Sequence, residues 1–301
     1  MALQKTAHDA CSRKVHCVGK KYLDDPFVSF FARDSTIVNS PLMNRGTWLR
    51  TTAIEKSVQS FAELAKGAPI QIISFGAGVD TLYFRLKKDR KAEVLLSKYV
   101  ELDFPDLVAE KERVVKSNDI FQEYLGDEYA LLPCDLRQPS EVCKLLKEHV
   151  KPGVPTILIA EMVFVYIEES ITTDLLRHTL SDVLGGPSTS VELITYDAMQ
   201  PNDRFGQMML ENLSGIGVHL KGILDLPTAA DHEKRALDVG FAQVKCRSMK
   251  QLYLTVPRDT MMWLNKLEMI DDWDEWNLVH EHYCFLVATT TINPVPVIFD
   301  H

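Results

Sequence analysis

Four groups of residues sit where a strand-like run gives way to a loop, and each has a chemistry suited to a small polar ligand. Phe75-Gly-Ala-Gly78 follows the apolar run from Pro69, and two glycines let a ligand approach the backbone where side chains would block it. Asp103 closes Tyr99-Val-Glu-Leu-Asp103, 25 residues after Gly78, where a carboxylate can accept both hydroxyl protons of a ribose. Asp135 closes the next run, placed to accept an exocyclic adenine amine while the Leu136 backbone amide meets a ring nitrogen. Glu161 interrupts Thr156–Ile167, so its carboxylate must be paired or must face a cavity. Each has a plainer alternative: a tight turn at the glycines, a helix cap at Asp103 or Asp135, a structural salt bridge at Glu161.

These residues need elements to hold them. Pro69–Phe75, Tyr99–Asp103, Tyr129–Asp135 and Thr156–Ala160 alternate with helical patterns, which predicts an α/β fold with a parallel sheet and right-handed crossovers. A fifth strand over Thr189–Tyr196 follows a helix over Ile171–Leu184. A crossover helix over Ala230–Val239 then precedes an antiparallel pair, Gln243–Arg247 and Tyr283–Ala288. Upstream, a helix is expected from near Tyr22, carrying Phe27, Phe30 and Phe31 into the core, and another over Gly46–Lys66. In such a sheet ligands bind beyond the carboxyl ends of the strands, where all four groups fall. Thr81 stands where a dinucleotide fingerprint needs its third glycine. The pocket is therefore adenosine-like without a phosphate grip, and S-adenosylmethionine fits it.

At this point the chain resembles the leucine carboxyl methyltransferases. The likeness is carried by Asn44-Arg-Gly with Arg50, Phe75-Gly-Ala-Gly-Val-Asp-Thr81, Glu101-Leu-Asp-Phe-Pro105, Cys134-Asp-Leu-Arg137, Leu158-Ile-Ala-Glu161 with Val165-Tyr166, Asp203-Arg-Phe-Gly-Gln207 with Met209-Leu-Glu-Asn212, and His282-Tyr-Cys284. The resemblance implies a Rossmann-like class I S-adenosylmethionine-dependent methyltransferase. It would be one domain over 1–301, with an N-terminal helical extension (1–66) and an inserted helical lid (201–228). It further implies that Lys14, Arg50, Gly76, Asp103, Asp135, Leu136 and Glu161 contact the cofactor. The implied reaction is methyl transfer to the C-terminal leucine carboxylate of the protein phosphatase 2A catalytic subunit, engaged through its tail and its folded core. Arg50 is the expected contact for the acceptor carboxylate, and Tyr196, at the end of the fifth strand, is a second; the alternative for Tyr196 is a core aromatic with its hydroxyl at the rim. Two other readings remain: a carboxyl methyltransferase of the transfer RNA wybutosine type, and a non-catalytic protein that binds the phosphatase tail.

Composition narrows the class. The 301 residues carry 33 Lys+Arg against 42 Asp+Glu, a formal charge of −9, which does not favour a nucleic-acid backbone as partner. That charge, with no repeat domain before His301, leans towards a protein tail as substrate. Thr156–Ile167 is too short for a bilayer and contains Glu161, so no membrane span is expected. The N-terminus lacks an apolar signal core. Six scattered cysteines without a C-x-x-C pair suit free thiols and no metal site. A cytoplasmic monomer is the resulting expectation.

Overall fold

A computed structural model describes residues 2–33, 37–89, 94–292 and 298–299. The alternating pattern folds as expected: β1 (Ile70–Phe75), α3 (Leu82–Lys88), β2 (Leu96–Asp103), α4 (Pro105–Ser117), the short α5 (Asp119–Gln122), β3 (Tyr129–Pro133), α6 (Pro139–His149), β4 (Thr156–Glu161), α7 (Glu169–His178) and β5 (Val191–Ala198), preceded by α1 (Ala2–Gly19) and α2 (Pro41–Leu64). After β5 come α8 (Arg204–Gly215), α9 (Ala229–Val239), β6 (Gln243–Ser248), α10 (Met249–Tyr253), α11 (Arg258–Leu267), α12 (Trp273–Glu281) and β7 (Tyr283–Thr289). The strands form one sheet in the order β3-β2-β1-β4-β5-β7-β6. β1 to β5 are mutually parallel, and β7 runs antiparallel to both neighbours. Strand order reverses between β1 and β4, so a crevice must open beyond Phe75 and Glu161.

β1 is buried along its whole length, so it lacks the strict apolar–polar alternation of a half-exposed strand, and its buried Gln71 side chain bonds to the Lys151 carbonyl and the Thr156 hydroxyl. One apolar cluster lies between the sheet and α1, α2 and the β6–β7 insertion; a second lies beneath α6, α7 and α9. A small third cluster, Val165, Ala198, Val218, Leu220 and Ile223, sits under the segment after α8.

Three sequence expectations change. The helix expected from Tyr22 is instead a turn followed by a 3-10 turn at Val28–Phe31, because the Asp25 carboxylate accepts the backbone N–H groups of Phe27 and Val28, both at 3.0 Å, and competes with a regular helix. Phe27 and Phe31 still enter the core, whereas Phe30 is exposed. The helix expected over Ile171–Leu184 ends as α at His178 and continues as a π-helical turn over Thr179–Val183. The stretch between β6 and β7, where no helix was expected, holds α10, α11 and α12.

Those helices explain Asn44-Arg-Gly46. Asn44 donates to the Glu268 carboxylate, and the fully buried Arg45 donates to the Tyr253 hydroxyl, the Asn265 side chain and the Glu268 carbonyl. The block thus docks α2 onto the β6–β7 insertion. Of these motif residues only Arg50, further along the helix, lines the crevice, beside Thr51 and Ile54.

Candidate functional site

The crevice holds a cavity of about 370 Å3, within the range of small-molecule sites. The glycine turn forms its floor. Gly76 and Gly78 have φ of +61° and +54°. A Cβ on Gly76 would lie 2.7 Å from both Val163 methyls, and one on Gly78 would lie 3.2 Å from the Ala7 Cβ. Glycine is therefore required both by the backbone and by the close approach of α1 and the loop after β4.

Asp103 lies against this turn and is buried. Its Oδ2 accepts the Gly78 N–H at 2.6 Å and its Oδ1 the Phe104 N–H at 2.7 Å. The N-cap of α4 is Phe104, so Asp103 does not cap that helix. An ionised carboxylate has about four lone-pair sites, and the two not used by backbone remain for ligand hydroxyls. Burial raises its pKa above the ordinary carboxylate value, against the two N–H groups and Lys111 that favour the anion.

Opposite charges meet in close pairs elsewhere on the wall. Lys14, on α1, donates to Asp80 Oδ1 at 2.6 Å. Burial opposes the Lys14 charge, yet Asp80 more than compensates and raises its pKa. Burial also opposes the Asp80 anion, and Lys14 and Arg85 outweigh it, holding the carboxyl well below its usual range. Arg85 in turn contacts Asp25 at 3.1 Å and Glu55 at 2.6 Å, which fastens the N-terminal segment to α3.

Arg50, on α2, places Nε 2.6 Å from Glu161 Oε1 at the end of β4. Its Cζ stands 5.1 Å from the centre of the Tyr196 ring. β4 and β5 pair in register with Glu161 opposite Tyr196, which brings all three together. Burial again works against the guanidinium, and Glu161 and Tyr196 outweigh it. Burial raises the Tyr196 phenol far above its ordinary value. Glu161 is thus both paired and on the cavity wall.

Lys14, Arg50, Gly76, Asp103, Asp135, Leu136 and Glu161 all line the one cavity. Tyr196 packs behind Arg50 and is not among the lining residues. Asp135 is gripped by Arg137, whose Nε lies 2.9 and 3.1 Å from its two oxygens, and this bonding lowers the Asp135 pKa. The sequence reading assigned no role to Arg137, Phe104 or Tyr166, yet all three are on the wall. All three belong to blocks that carried the family likeness, a signal that could have found them. Thr6, Ala7 and Ala10 on α1, and Gly217, His219 and Lys221 after α8, complete the rim; no local pattern marks them, because the chain reaches the cavity there only through its tertiary path.

The residues present fit S-adenosylmethionine. The glycine cradle leaves room for backbone contact, Asp103 keeps acceptor sites free, and a wall bearing paired Lys14–Asp80 and Arg50–Glu161 suits a zwitterionic amino-acid group. Strand order and site together define a Rossmann-like methyltransferase of class I. The sequence profile described as leucine carboxyl methyltransferase matches residues 2–180. The chain is 30% identical over 303 residues to the Leucine carboxyl methyltransferase 1 homolog of Arabidopsis thaliana, covering 95% of this chain and 89% of that protein. It is 29% identical to Leucine carboxyl methyltransferase 1 of Schizosaccharomyces pombe, covering 96% and 95%. It is also 28% identical to the human tRNA wybutosine-synthesizing protein 4, covering 96% of this chain and 44% of that protein. Among solved structures, a duf574 family protein from Streptomyces avermitilis superposes with a TM-score of 0.54 at 11% identity, over 82% of this chain and 85% of that one, and shares the fold. The chain belongs to the leucine carboxyl methyltransferase family, and it is a methyltransferase.

Proposed function

We propose that this protein transfers a methyl group from S-adenosylmethionine to the C-terminal leucine α-carboxylate of the protein phosphatase 2A catalytic subunit, forming a methyl ester. The observation that carries the reading is the grouping of Arg50 and Glu161 with Lys14 and Asp80 on the wall of a cavity that Asp103 also lines, in a chain of this family. Asp103 takes the ribose hydroxyls, Asp135 and the Leu136 amide take the adenine edge, and Gly76 admits the ligand against the backbone. Lys14 and Arg50 hold the donor's carboxylate, and Glu161 holds its ammonium.

When bound, the cofactor supplies a methyl group on a sulfonium, which leaves as a neutral thioether. An α-carboxyl group has a pKa of about 3.5, so near pH 7 the acceptor already carries the attacking lone pair and needs no general base. The residues' work is alignment. Arg50 presents two donors in a plane and orients the acceptor carboxylate, with Tyr196 steadying it from behind. Fixing the reacting atoms in line and excluding water contributes up to ~7–11 kcal/mol in the best-oriented cases.

The test is incubation with methyl-labelled cofactor and the intact phosphatase. Base-labile label on the terminal leucine is expected, and none on a subunit whose leucine is amidated or deleted. The similarity to the wybutosine-synthesizing protein motivates a parallel arm with transfer RNA. Label in the RNA and none in the phosphatase would replace the proposed substrate.

A further inference from the structure

Behind Arg50 stands a column of two rings. Tyr196 and Tyr283 lie 5.6 Å apart with planes 4° from parallel, the flattest ring pair among the described residues. The antiparallel β5–β7 ladder sets Ala198 opposite Tyr283 and Tyr196 opposite Phe285. The two tyrosines are therefore diagonal neighbours on one face of the sheet. The Arg50 guanidinium rests on the first of them.

The second ring is tied to α8. The Tyr283 hydroxyl reaches the Met209 Sδ at 3.9 Å. The preceding residue, His282, places Nε2 2.9 Å from both carboxylate oxygens of Asp203. Asp203 is the N-cap of α8, accepting the Gly206 N–H at 2.7 Å. Tyr283 also packs against both the central core and the small cluster beneath the segment that follows α8. Burial raises both phenols above their ordinary range, so the guanidinium faces uncharged rings.

We infer that Tyr283 is a positioning residue. Its ring, acting through Tyr196, sets the Arg50 guanidinium and couples it to the placement of α8. This rests on the reading of Arg50 as an anchor for the donor's carboxylate. The coupling passes through one ring: a residue that moves Tyr196 moves the surface on which Arg50 lies, whereas Glu161 constrains that guanidinium from the side of β4.

The test is calorimetric titration with S-adenosylhomocysteine in a double-mutant cycle. Tyr283→Leu is expected to weaken binding about tenfold in the otherwise native protein and less than about twofold in an Arg50→Lys background, since the positioned group is gone. Tyr283→Phe, which keeps the ring, is expected to recover most of the loss. Should Tyr283→Leu fail to fold, Tyr283→Met removes the ring with a more flexible side chain that adapts to the gap, with the same expected outcome. An equal loss in both backgrounds, or no loss in either, overturns the inference. Failure of the native protein to bind S-adenosylhomocysteine overturns the reading of the site itself, a distinct result. Hydrogen exchange reads the α8 arm: ligand should slow exchange in α8 of the native protein and not of Tyr283→Leu. An equal response in both removes the coupling to α8.

Discussion

Arg50 and Asp103 show how single residues gain their roles from neighbours. The half-buried Arg50 guanidinium is compensated by Glu161, 2.6 Å away, and both remain on the cavity wall. Asp103 joins two strand ends, since its oxygens accept from Gly78 after β1 and Phe104 after β2. Asp103→Ala removes a charged acceptor from the proposed ribose site. Hydrogen bonds to charged groups contribute about 1.5–3 kcal/mol, so S-adenosylhomocysteine should bind about 10- to 150-fold more weakly. Its 2′-deoxy analogue should lose less. If the native protein and the mutant discriminate equally between the two ligands, Asp103 does not read that hydroxyl.

At the scale of elements, α2 does two jobs along one helix. Its first turns carry Asn44, Arg45 and Gly46 against the β6–β7 insertion, and its middle carries Arg50, Thr51 and Ile54 to the cavity. Gly46 sits inside this helix, where propensity alone says alanine would be better by ~1 kcal/mol. The packing predicts the opposite. A Cβ there would lie 2.5 Å from His280 Nε2, and His280 is stacked on Trp276 with centroids 3.6 Å apart and bonded to the Trp276 carbonyl, so it has little room to retreat. Gly46→Ala should lower the melting temperature by several degrees, corresponding to the ~1–3 kcal/mol of an overpacked site. Gly46→Ala combined with His280→Ala should lose less than the sum of the single changes. An unchanged or raised melting temperature for Gly46→Ala would mean that the insertion yields at this contact.

For the whole molecule, stability depends on protons held inside the sheet. Burial pushes the Glu192 carboxyl up to about 8, and Asp197, on the same strand, up to about 7 despite Arg235. A folded pKa above the unfolded value means that the folded state holds a proton the unfolded chain has released. Stability from that source is complete below the unfolded pKa of ~4.3 and is lost as pH rises to the folded value. His280 acts in the other direction: burial lowers its pKa to about 4, so it costs stability below the ordinary histidine value. The Glu192 share can be isolated by difference. Melting curves of the native protein and of Glu192→Gln should run close together near pH 4 and separate towards pH 8, the mutant becoming the more stable by up to ~1.4 kcal/mol per pH unit. Parallel curves across that range would show that Glu192 stays ionised in the fold.

Much of the site was written locally. A strand that ends in glycines, or in a carboxylate after an apolar run, declares its own end, because burial tolerates neither a free charge nor a needless loss of side chain; Gly76, Asp103, Asp135 and Glu161 were placed that way, and all line the cavity. The alternation of strand and helix likewise determined the parallel core. Contacts between distant segments were not local. The approach of α1 to Gly78 and the docking of Asn44 and Arg45 on residues more than 200 positions away leave no periodicity to read. The flat stack of Tyr196 on Tyr283 is equally silent, because it arises from the register of β5 on β7. Such pairings exist only once the sheet has ordered its strands, so the tertiary structure alone decided which ring stands behind Tyr196 and which segments close the rim.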